Sequence, residues 1–297
     1  MIELRTPETD EEYEAWRHVR LVVLPHERTE GVEEMRASPR GRFLLLAQVD
    51  GELAGAGVMA RSDTGGAFVQ PRVLPAHRRR GVGSALLRAL ADAAVGAGHT
   101  EAGAHVEELD ALAFAERFGF RETDRQVEQV RTIEPDEPAP PALPGIELDP
   151  LAGRPDLADR VFDELAREAV KDFALDRPIE IDAEAWKTEW LRDTSGCFVA
   201  LDDGVIVGLA GFERDADRPE RGENALTAVR RDRRGRGIAR ALKQAAIRLA
   251  AEQQLVELYT WTQERNLPMR ALNRSLGYVD RGVTIGVRAP LPLPLPA

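Results

Sequence analysis

The apolar and polar positions along the chain predict the same order of elements twice. Each half opens on a short alternating strand, Ile2–Leu4 in the first and Ile146–Leu148 in the second, and helical stretches follow. A strand hairpin comes next in each half, with Asp50-Gly51 and Asp203-Gly204 at the turns, where the backbone must tolerate positive φ angles. This order predicts one domain that has been duplicated.

The remainder of each half repeats as well. Another strand ends at Val73 in the first half and at Val229 in the second, 156 residues later. A basic loop with glycines then leads into an amphipathic helix, and each half closes with a strand, a helix, a glycine-aromatic pair and a final strand. The apolar face of the amphipathic helix consists of Val82, Leu86, Ala89 and Ala93 in the first half and of Ile238, Leu242, Ala245 and Leu249 in the second.

Proline marks the boundary between the two halves. Residues 134–145 contain five prolines and show neither strand nor helix periodicity, which is typical of a semi-rigid linker. We therefore expect an N-terminal domain at 1–133, a Pro-rich linker at 134–145, a C-terminal domain at 146–289 and a Pro-rich tail at 290–297. Two such domains in one chain can replace a homodimer, so a monomer is compatible with this organisation.

Composition and charge narrow the range of partners. The chain is 43% hydrophobic and 31% charged, which suits a globular protein, and it has no apolar run long enough to span a membrane. A net charge of −11 argues against nucleic acid and anionic membranes as partners. The single cysteine, Cys197, excludes an internal disulfide and a zinc site of several cysteines, so we expect no metal. The acidic N-terminus is unlike a secretory signal, which favours a cytoplasmic location.

The basic loop before each amphipathic helix is the candidate ligand site. At a helix start the backbone N–H groups lack intrahelical partners, and the helix dipole adds positive charge. Glycine or alanine lets a phosphate approach these groups, and flanking arginines add charge-assisted hydrogen bonds. The loop is Arg78–Gly83 in the first half and Arg234–Ala239 in the second. A diphosphate ligand fits this pattern, and a solvated basic helix start is the alternative.

The two loops resemble the signature of the GNAT superfamily of N-acetyltransferases, Gln/Arg-x-x-Gly-x-Gly/Ala between the fourth strand and the following helix. The matching residues are Arg78, Gly81 and Gly83 in the first copy and Arg234, Gly237 and Ala239 in the second. The resemblance implies an α/β (α+β) fold of two tandem domains, each with a mixed, mostly antiparallel sheet that is splayed between strands 4 and 5 and flanked by helices. It also implies acetyl-CoA as the co-substrate, with its pantetheine arm in that gap.

The same resemblance implies a set of coenzyme-binding residues around the end of the fourth strand and the loop. In the second copy these are Ala228, Val229, Arg234, Gly235, Arg236, Gly237, Ile238, Ala239 and Asn266. In the first copy they are Val73, Arg78, Arg79, Gly81, Val82, Gly83 and Ser84. Asn266 stands eleven residues before the closing glycine, where family members often carry a coenzyme-binding asparagine, and it also suits an N-cap.

Amine acetylation requires a group that takes the proton of the acceptor ammonium. Glu223 lies eleven residues before Arg234, a spacing similar to that of the catalytic glutamate in histone-acetyltransferase-like members. An exposed glutamate at a strand edge is the alternative, and Glu213 is the reserve candidate. The equivalent position in the first copy is Ala67, which cannot take a proton. The resemblance therefore implies that the C-terminal copy is the active one.

The sequence departs from the family at the group that meets the leaving thiolate. Family members frequently have a tyrosine four residues before the closing glycine, and Asn273 stands there in this chain. An asparagine can donate a hydrogen bond to the sulfur but supplies no proton, which leaves Tyr259, Ser275 and water as candidate acids. In the first copy Ala115 stands at the position of Asn273, and Glu108 at that of Asn266.

Acidic and aromatic residues in the early helices of the second copy suit a cationic acceptor. They are Glu164, Asp172, Phe173, Asp176, Asp182, Trp186 and Trp190. A place in the core is the alternative for the two tryptophans. These features predict an acetyl-CoA-dependent N-acetyltransferase that acts on a primary amine of a small molecule or peptide. The alternative is a catalytically inactive protein that binds acyl-CoA.

Overall fold

The computed structural model describes residues 1–25, 30–37, 42–62, 65–107, 109–172, 179, 181–216 and 218–294. The chain forms two compact units, Met1–Arg125 with Thr284–Ala297 and Gln126–Val283. We call them the N-terminal unit and the C-terminal unit. Glu108, Phe173 and Asp176, which the sequence analysis considered, lie outside the described residues.

The elements follow the predicted repeat. In the first half they are β1 (Ile2–Arg5), α1 (Asp10–Val23), α2 (Val32–Ala37), β2 (Phe43–Val49), β3 (Glu52–Arg61), β4 (Ala67–Val73), α3 (Val82–Gly96), β5 (Glu101–Val106), α4 (Leu109–Arg117) and β6 (Arg121–Thr132). In the second half they are β7 (Glu147–Pro150), α5 (Pro155–Val161), α6 (Arg167–Ala169), α7 (Ala183–Ala185), β8 (Phe198–Asp202), β9 (Val205–Ala210), β10 (Phe212–Arg214), β11 (Arg221–Asn224), β12 (Ala228–Val229), α8 (Ile238–Glu252), β13 (Glu257–Gln263), α9 (Leu267–Ser275) and β14 (Val279–Pro290). Among the described residues, every helix is too short or too polar to cross a bilayer.

The sheet of the N-terminal unit has the strand order β1–β2–β3–β4–β5, and Ile285–Pro290 of β14 pair with β5. Neighbouring strands are antiparallel except for β4 and β5, which run parallel. These two strands pair only through Ala67 with Ala102 and Phe68 with Gly103, and they separate beyond that point. The mixed, mostly antiparallel and splayed sheet predicted from the sequence is confirmed.

The C-terminal unit distributes the same strands over two sheets. One has the order β12–β9–β8–β7, and the other contains β10, β11, β13 and Gln126–Thr132 of β6. The fourth strand of this copy is broken, because β11 pairs in parallel with β13 while β12 pairs with β9. The break opens the unit at residues 225–227.

Equivalent glycines allow the two long helices to cross the hairpin strands closely. A Cβ at Gly208 would lie 2.9 Å from Cδ1 of Leu242 and 3.1 Å from Cγ2 of Ile238. A Cβ at Gly55 would lie 3.2 Å from Cδ1 of Leu86. The absent side chains let α8 pack on β9 and α3 on β3. Both helices therefore begin at the same place relative to their sheets, which positions the loops before them.

Each unit is completed by a strand from the other half of the chain. Gln126–Thr132 pair with β13 in the C-terminal unit, and Ile285–Pro290 pair with β5 in the N-terminal unit. The Pro-rich residues 134–145 belong to the C-terminal unit, where Glu137 forms an ion pair of 2.6 Å with Arg131. The compact units thus include strands from both halves of the repeat, and the predicted domain boundaries at 133 and 146, which follow the repeat itself, stay a prediction.

Candidate active site

A cleft opens in the C-terminal unit where the fourth strand breaks. The last residue of β11 that pairs with β13 is Glu223, opposite Tyr259, and the chain then reaches β9 at Ala228. Beyond Tyr259 the β13 edge that faces β11 is open toward a cavity of about 670 Å³. The predicted site residues that line this cavity are Ala228, Val229, Arg234, Gly235, Gly237, Ile238, Ala239, Asn266 and Asn273.

The start of α8 forms one wall of the cleft. Gly235 and Gly237 have φ angles of 77° and 82°, in the left-handed region that favours glycine. The N–H of Ala241 bonds to the carbonyl of Gly237 at 3.0 Å, so the N–H groups of Ile238–Arg240 precede the first helical hydrogen bond. With the helix dipole, these amides can hold an anion.

Arg234 lies in the cleft beside a carboxylate. Its Nε donates to the carbonyl of Val229 at 3.0 Å, and its Nη2 donates to Asp172, another residue that lines the cleft. Arg231 also donates to Asp172, and hydrogen bonds from these arginines hold the pKa of the Asp172 carboxyl below its ordinary value. The positive charge at this wall is therefore partly balanced, which leaves the backbone amides as the main donors for an anion.

Arg236, a predicted coenzyme-binding residue, is not brought to the cleft. Its Nη1 lies 3.4 Å from Oδ2 of Asp202, which also accepts from Nε of Arg233 at 2.6 Å. Two guanidinium groups thus share one carboxylate at the end of β8. The difference from the sequence prediction arises because this ion pair draws the side chain to β8.

Glu223, the predicted general base, also does not line the cleft. Side chains alternate along a strand, and the neighbouring residue, Asn224, is the one that reaches the cavity. Glu223 is half-buried on β11, where it pairs with Glu213 of β10. Its role as a base stays a prediction.

The cleft contains Lys243, a residue that the sequence motifs do not mark. Its side chain lines the cavity although the residue is only 4% exposed. Nζ donates to Oδ1 of Asn224 at 2.8 Å and lies 5.2 Å from the ring centroid of Tyr278, whose hydroxyl donates to the same oxygen at 2.8 Å. Burial lowers the pKa of Lys243 to about 7. The one signal in the sequence is the repeat, which places Leu87 at the equivalent position of the first copy.

Asn273 lines the cleft in an orientation that its neighbours fix. The carboxylate of Asp280 accepts from Nε2 of Gln129 at 2.9 Å, so Gln129 presents its oxygen to Nδ2 of Asn273, also at 2.9 Å. The same Nδ2 lies 3.5 Å from Oγ1 of Thr262. Its hydrogens are thus engaged rather than free for a sulfur atom, which differs from the predicted role. The buried Oδ1 has no hydrogen-bond partner among the described residues and offers an acceptor instead.

Asn266 has the capping geometry considered from the sequence and also lies at the cleft. Its Oδ1 accepts from the N–H of Met269 at 3.2 Å, which caps α9. Its predicted contact with the coenzyme stays a prediction. Tyr259 and Ser275, the candidate acids, are not among the residues that line the cavity.

The aromatic and acidic candidates for acceptor binding separate into two groups. Trp190 lines the cleft, whereas Trp186 is fully buried in the core beside it, with ring centroids 6.1 Å apart. Asp172 reaches the cleft, but Glu164 forms an ion pair within its helix and Asp182 caps α7. Trp261 of β13 also lines the cleft, so its described part combines two indoles with the carboxylate of Asp172.

A corresponding cleft of about 570 Å³ lies beside α3 in the N-terminal unit. Of the predicted residues, Val73, Arg78, Arg79, Gly81, Gly83 and Ser84 line it, and Val82 is buried in the core. Gln70 bridges the diverging strands, because its Oε1 accepts from the N–H of His105 and its Nε2 donates to the carbonyl of His105, both at 2.8 Å. Arg72 and Glu107 add an ion pair of 3.1 Å between the same strands.

Two further observations concern side chains that often bind metals or act as nucleophiles. Within the described residues no group of three or more His, Cys, Asp or Glu side chains could hold a metal ion. Cys197 is buried, and burial raises the pKa of its thiol to about 12.

A glycine loop at a helix start, beside a fourth strand that parts from the fifth, defines a class of acetyltransferase. The family model described as Acetyltransferase (GNAT) family matches residues 6–120 and 159–278, once in each copy. The chain belongs to this family and is an N-acetyltransferase built from two tandem GNAT domains. The predicted family is confirmed, and acetyl-CoA is the co-substrate that GNAT acetyltransferases use.

The relatives of this chain extend over most of its length. A mycothiol acetyltransferase of Nocardia farcinica is 30% identical over 265 residues, which cover 82% of each chain. A mycothiol acetyltransferase of Clavibacter sepedonicus is 32% identical over 262 residues, which cover 84% of this chain and 81% of the relative.

Two solved structures show the same fold. A GCN5-related N-acetyltransferase of Sphaerobacter thermophilus has a TM-score of 0.79 at 19% identity, covering 97% of this chain and 95% of that one. A tandem GNAT protein from the clavulanic acid biosynthesis pathway has a TM-score of 0.73 at 20% identity, covering 98% of both chains. At these identities the likeness is one of fold.

Proposed function

We propose that the protein transfers the acetyl group of acetyl-CoA to the primary amine of a small molecule and that the C-terminal unit carries the reaction. The cleft at the broken fourth strand is the observation that supports the proposal. It joins the unpaired N–H groups at the start of α8 to a set of polar side chains, Asn224, Lys243 and Asn273. An anion site and a reaction site therefore share one cavity.

The chemistry of the cavity favours one orientation of the bound coenzyme. Its diphosphate suits the amides of Gly235–Ala239, because a helix start stabilises negative charge. Its pantetheine arm carries amides that suit the free backbone groups of β12 and of the open edge of β13. The thioester then comes to the point where β11 and β13 part, beside Asn224.

The reaction needs a proton acceptor more than a proton donor. The amine nitrogen attacks the thioester carbonyl carbon, so that a C–N bond forms, the C–S bond breaks and the thiolate leaves. A lysine-like ammonium, with a pKa of about 10.4, must first lose a proton. A thiol with a pKa of about 8.5 leaves tolerably well as the thiolate. The absence of a tyrosine at position 273 is therefore compatible with turnover.

The names of the relatives indicate the first acceptor to test. They are mycothiol acetyltransferases, so an amine of the mycothiol type is our first candidate. The indole of Trp190 offers an aromatic face for a cation, and Oδ1 of Asn273 offers an acceptor for its N–H groups. Both features suit a small, protonated amine.

A thiol-release assay with a panel of primary amines tests the proposal. The panel contains a mycothiol-type amine, an aminoglycoside, a polyamine and a peptide N-terminus, and mass spectrometry identifies the acetylated product. We expect amine-dependent release of CoA with at least one small-molecule amine. Binding of acetyl-CoA without release for any amine would overturn the proposal in favour of a catalytically inactive acyl-CoA-binding protein.

A further inference from the structure

We propose that Lys243, in its neutral form, is the general base of the C-terminal cleft and takes the proton that the acceptor ammonium must lose. The inference rests on the proposed function and deepens it by naming the residue that activates the amine. It gives this role to a lysine on α8 instead of the predicted Glu223 on β11.

The contacts of Lys243 hold its amine in place without supplying a counter-charge. Nζ donates to Oδ1 of Asn224, and the hydroxyl of Tyr278 donates to the same oxygen, so one amide oxygen fixes both groups. Among the described residues Lys243 forms no ion pair, and its side chain is almost fully buried while still lining the cavity. A neutral amine in this position keeps a lone pair that can accept a proton.

The surroundings of Lys243 favour the neutral form. Among the described residues its polar contacts are with the amide of Asn224 from β11 and the ring of Tyr278 from the segment before β14. Burial raises the pKa of Tyr278 above its ordinary value, so the phenol stays neutral as well. Burial is the cause that lowers the pKa of Lys243 to about 7. A base whose pKa lies near the working pH is the most effective proton acceptor.

The N-terminal unit indicates that packing alone does not require a lysine here. The repeat places Leu87, Phe68 and Phe120 where the C-terminal copy has Lys243, Asn224 and Tyr278. Leu87 and Phe120 are buried in the core of the N-terminal unit. The same fold thus has apolar side chains at these three positions in one copy and polar side chains in the other. A buried lysine is costly, so its presence in the copy with the open cleft supports a chemical role.

The proposed step balances in protons and electrons. The acceptor ammonium gives one proton to Nζ of Lys243, which becomes an ammonium group, and the amine becomes neutral. Its nitrogen then forms the C–N bond as the C–S bond breaks, and the second nitrogen proton passes to the CoA thiolate. Lys243 returns its proton to solvent before the next turnover. No oxidant, reductant or further co-reactant is required.

Nuclear magnetic resonance of ¹³C-labelled lysine tests the state of Lys243 directly. The chain has three lysines, Lys171, Lys187 and Lys243, so the spectrum is simple, and the signal absent from Lys243→Met is assigned to Lys243. We expect that signal to titrate at about pH 7. A signal that titrates only above pH 9 would overturn the proposal, and this measurement needs no substrate.

The pH dependence of kcat and kcat/KM tests the role of Lys243 in the reaction. In the native protein we expect kcat/KM to rise with pH through an acidic limb near pH 7. Lys243→Met should lower kcat by about 100-fold or more and remove that limb. Lys243→Arg should do the same although it keeps a cation, and Lys187→Met, an exposed lysine, serves as the matched control. Calorimetry should give acetyl-CoA affinities within about threefold for all variants.

Three outcomes would contradict this assignment while leaving the proposed function intact. One is an unchanged pH profile in Lys243→Met with kcat reduced less than about threefold. Another is loss of the acidic limb in Glu223→Gln instead of Lys243→Met. The third is a limb on the alkaline side that depends on Lys243, which would make it an acid. By contrast, absence of turnover in the native protein would contradict the proposed function and leave the titration of Lys243 as a separate result.

Discussion

The N-terminal and C-terminal clefts share a glycine loop at a helix start and differ where the two strands part. In the N-terminal unit Gln70 joins β4 to β5 through the backbone of His105, and Arg72 pairs with Glu107 beside it. Burial, reinforced by the charges of Arg72 and Arg20, lowers the pKa of His105 to about 4, so this side chain is neutral at physiological pH. The gap that would receive a pantetheine arm is bridged by side chains.

The C-terminal unit leaves the same gap open. Leu226 stands at the position equivalent to Gln70, and the parting strands are lined by Asn224 and Lys243 instead of apolar residues. The comparison teaches that the loop follows from the fold, since both copies have it. Under the proposed function, the capacity for chemistry depends on the few side chains at the strand divergence, where the copies differ.

The largest expected effect comes from placing an acidic side chain in the anion site of the C-terminal unit. Ala239→Glu puts a carboxylate at the start of α8, which the helix dipole tolerates but which repels a diphosphate. We expect kcat/KM to fall by about 100-fold or more and calorimetric binding of acetyl-CoA to be lost. Thermal unfolding of the variant should stay within a few degrees of the native protein.

Gly83→Glu is the matched control in the N-terminal unit. A Cβ there would make ordinary contacts of 3.5 Å with Val73 and 3.6 Å with Phe114, so the fold should accept it. We expect kcat/KM to change less than about twofold and one acetyl-CoA to bind per chain, as in the native protein. Loss of turnover in Gly83→Glu, or two binding sites of equal affinity, would break the comparison.

A smaller effect is expected from giving the C-terminal cleft the residue of its counterpart. Lys243→Leu removes a buried amine whose pKa is about 7 in the folded protein and 10.5 as the ordinary value. Between these pH values the unfolded chain binds a proton that the folded chain does not, so the stability of the native protein rises with pH across this window. At pH 7 the variant should be more stable by about 3 kcal/mol, after loss of one hydrogen bond.

Urea denaturation at pH 7 and pH 10 measures this difference. The gain in unfolding free energy should shrink at the higher pH, because the stability of the native protein rises across this window while that of the variant does not. Lys171→Leu, at an exposed position, is the control and should show neither gain nor pH dependence. A stability loss in Lys243→Leu at pH 7 would mean that the lysine stabilises the fold by packing. The difference between the two clefts would then give no support to a chemical role for Lys243.

The smallest effect concerns the loop backbone. Gly235 has φ 77°, and the corresponding Arg79 adopts φ 61°, so both copies use the left-handed region at this position. Gly235→Ala should lower the unfolding free energy by about 1 kcal/mol. Arg79→Gly should change it by less than about 0.5 kcal/mol, because relief of strain is offset by greater freedom of the unfolded chain. Large and equal changes in the unfolding free energy at both positions would contradict this expectation.

Local patterns were sufficient to predict much of the fold. The hairpin turns at Asp50-Gly51 and Asp203-Gly204 have the positive φ angles that their residue types indicated. Asn266 caps α9, as its residue type and position indicated. Each of these features depends on residues close in sequence, which is why spacing alone reveals them.

The site required information that spacing does not contain. Lys243 is marked by its burial against Asn224 and Tyr278, which are distant in sequence and meet only in the folded unit. Glu223 fits the family spacing, but the break after Asn224 decides which side chain reaches the cleft. The hydrogen bond from Asn273 to Gln129 likewise depends on the pairing of β6 with β13, which no repeat can indicate.

The crossing of the last strands limits how the molecule can be dissected. A protease that cut within residues 134–145 would sever the covalent link, yet each fragment would still carry a strand of the other's sheet. The nicked pieces should stay interlocked, whereas either fragment produced alone would expose an unpaired edge and tend to aggregate. A cut at the boundary of the repeat would thus leave each copy without one strand of its own sheet.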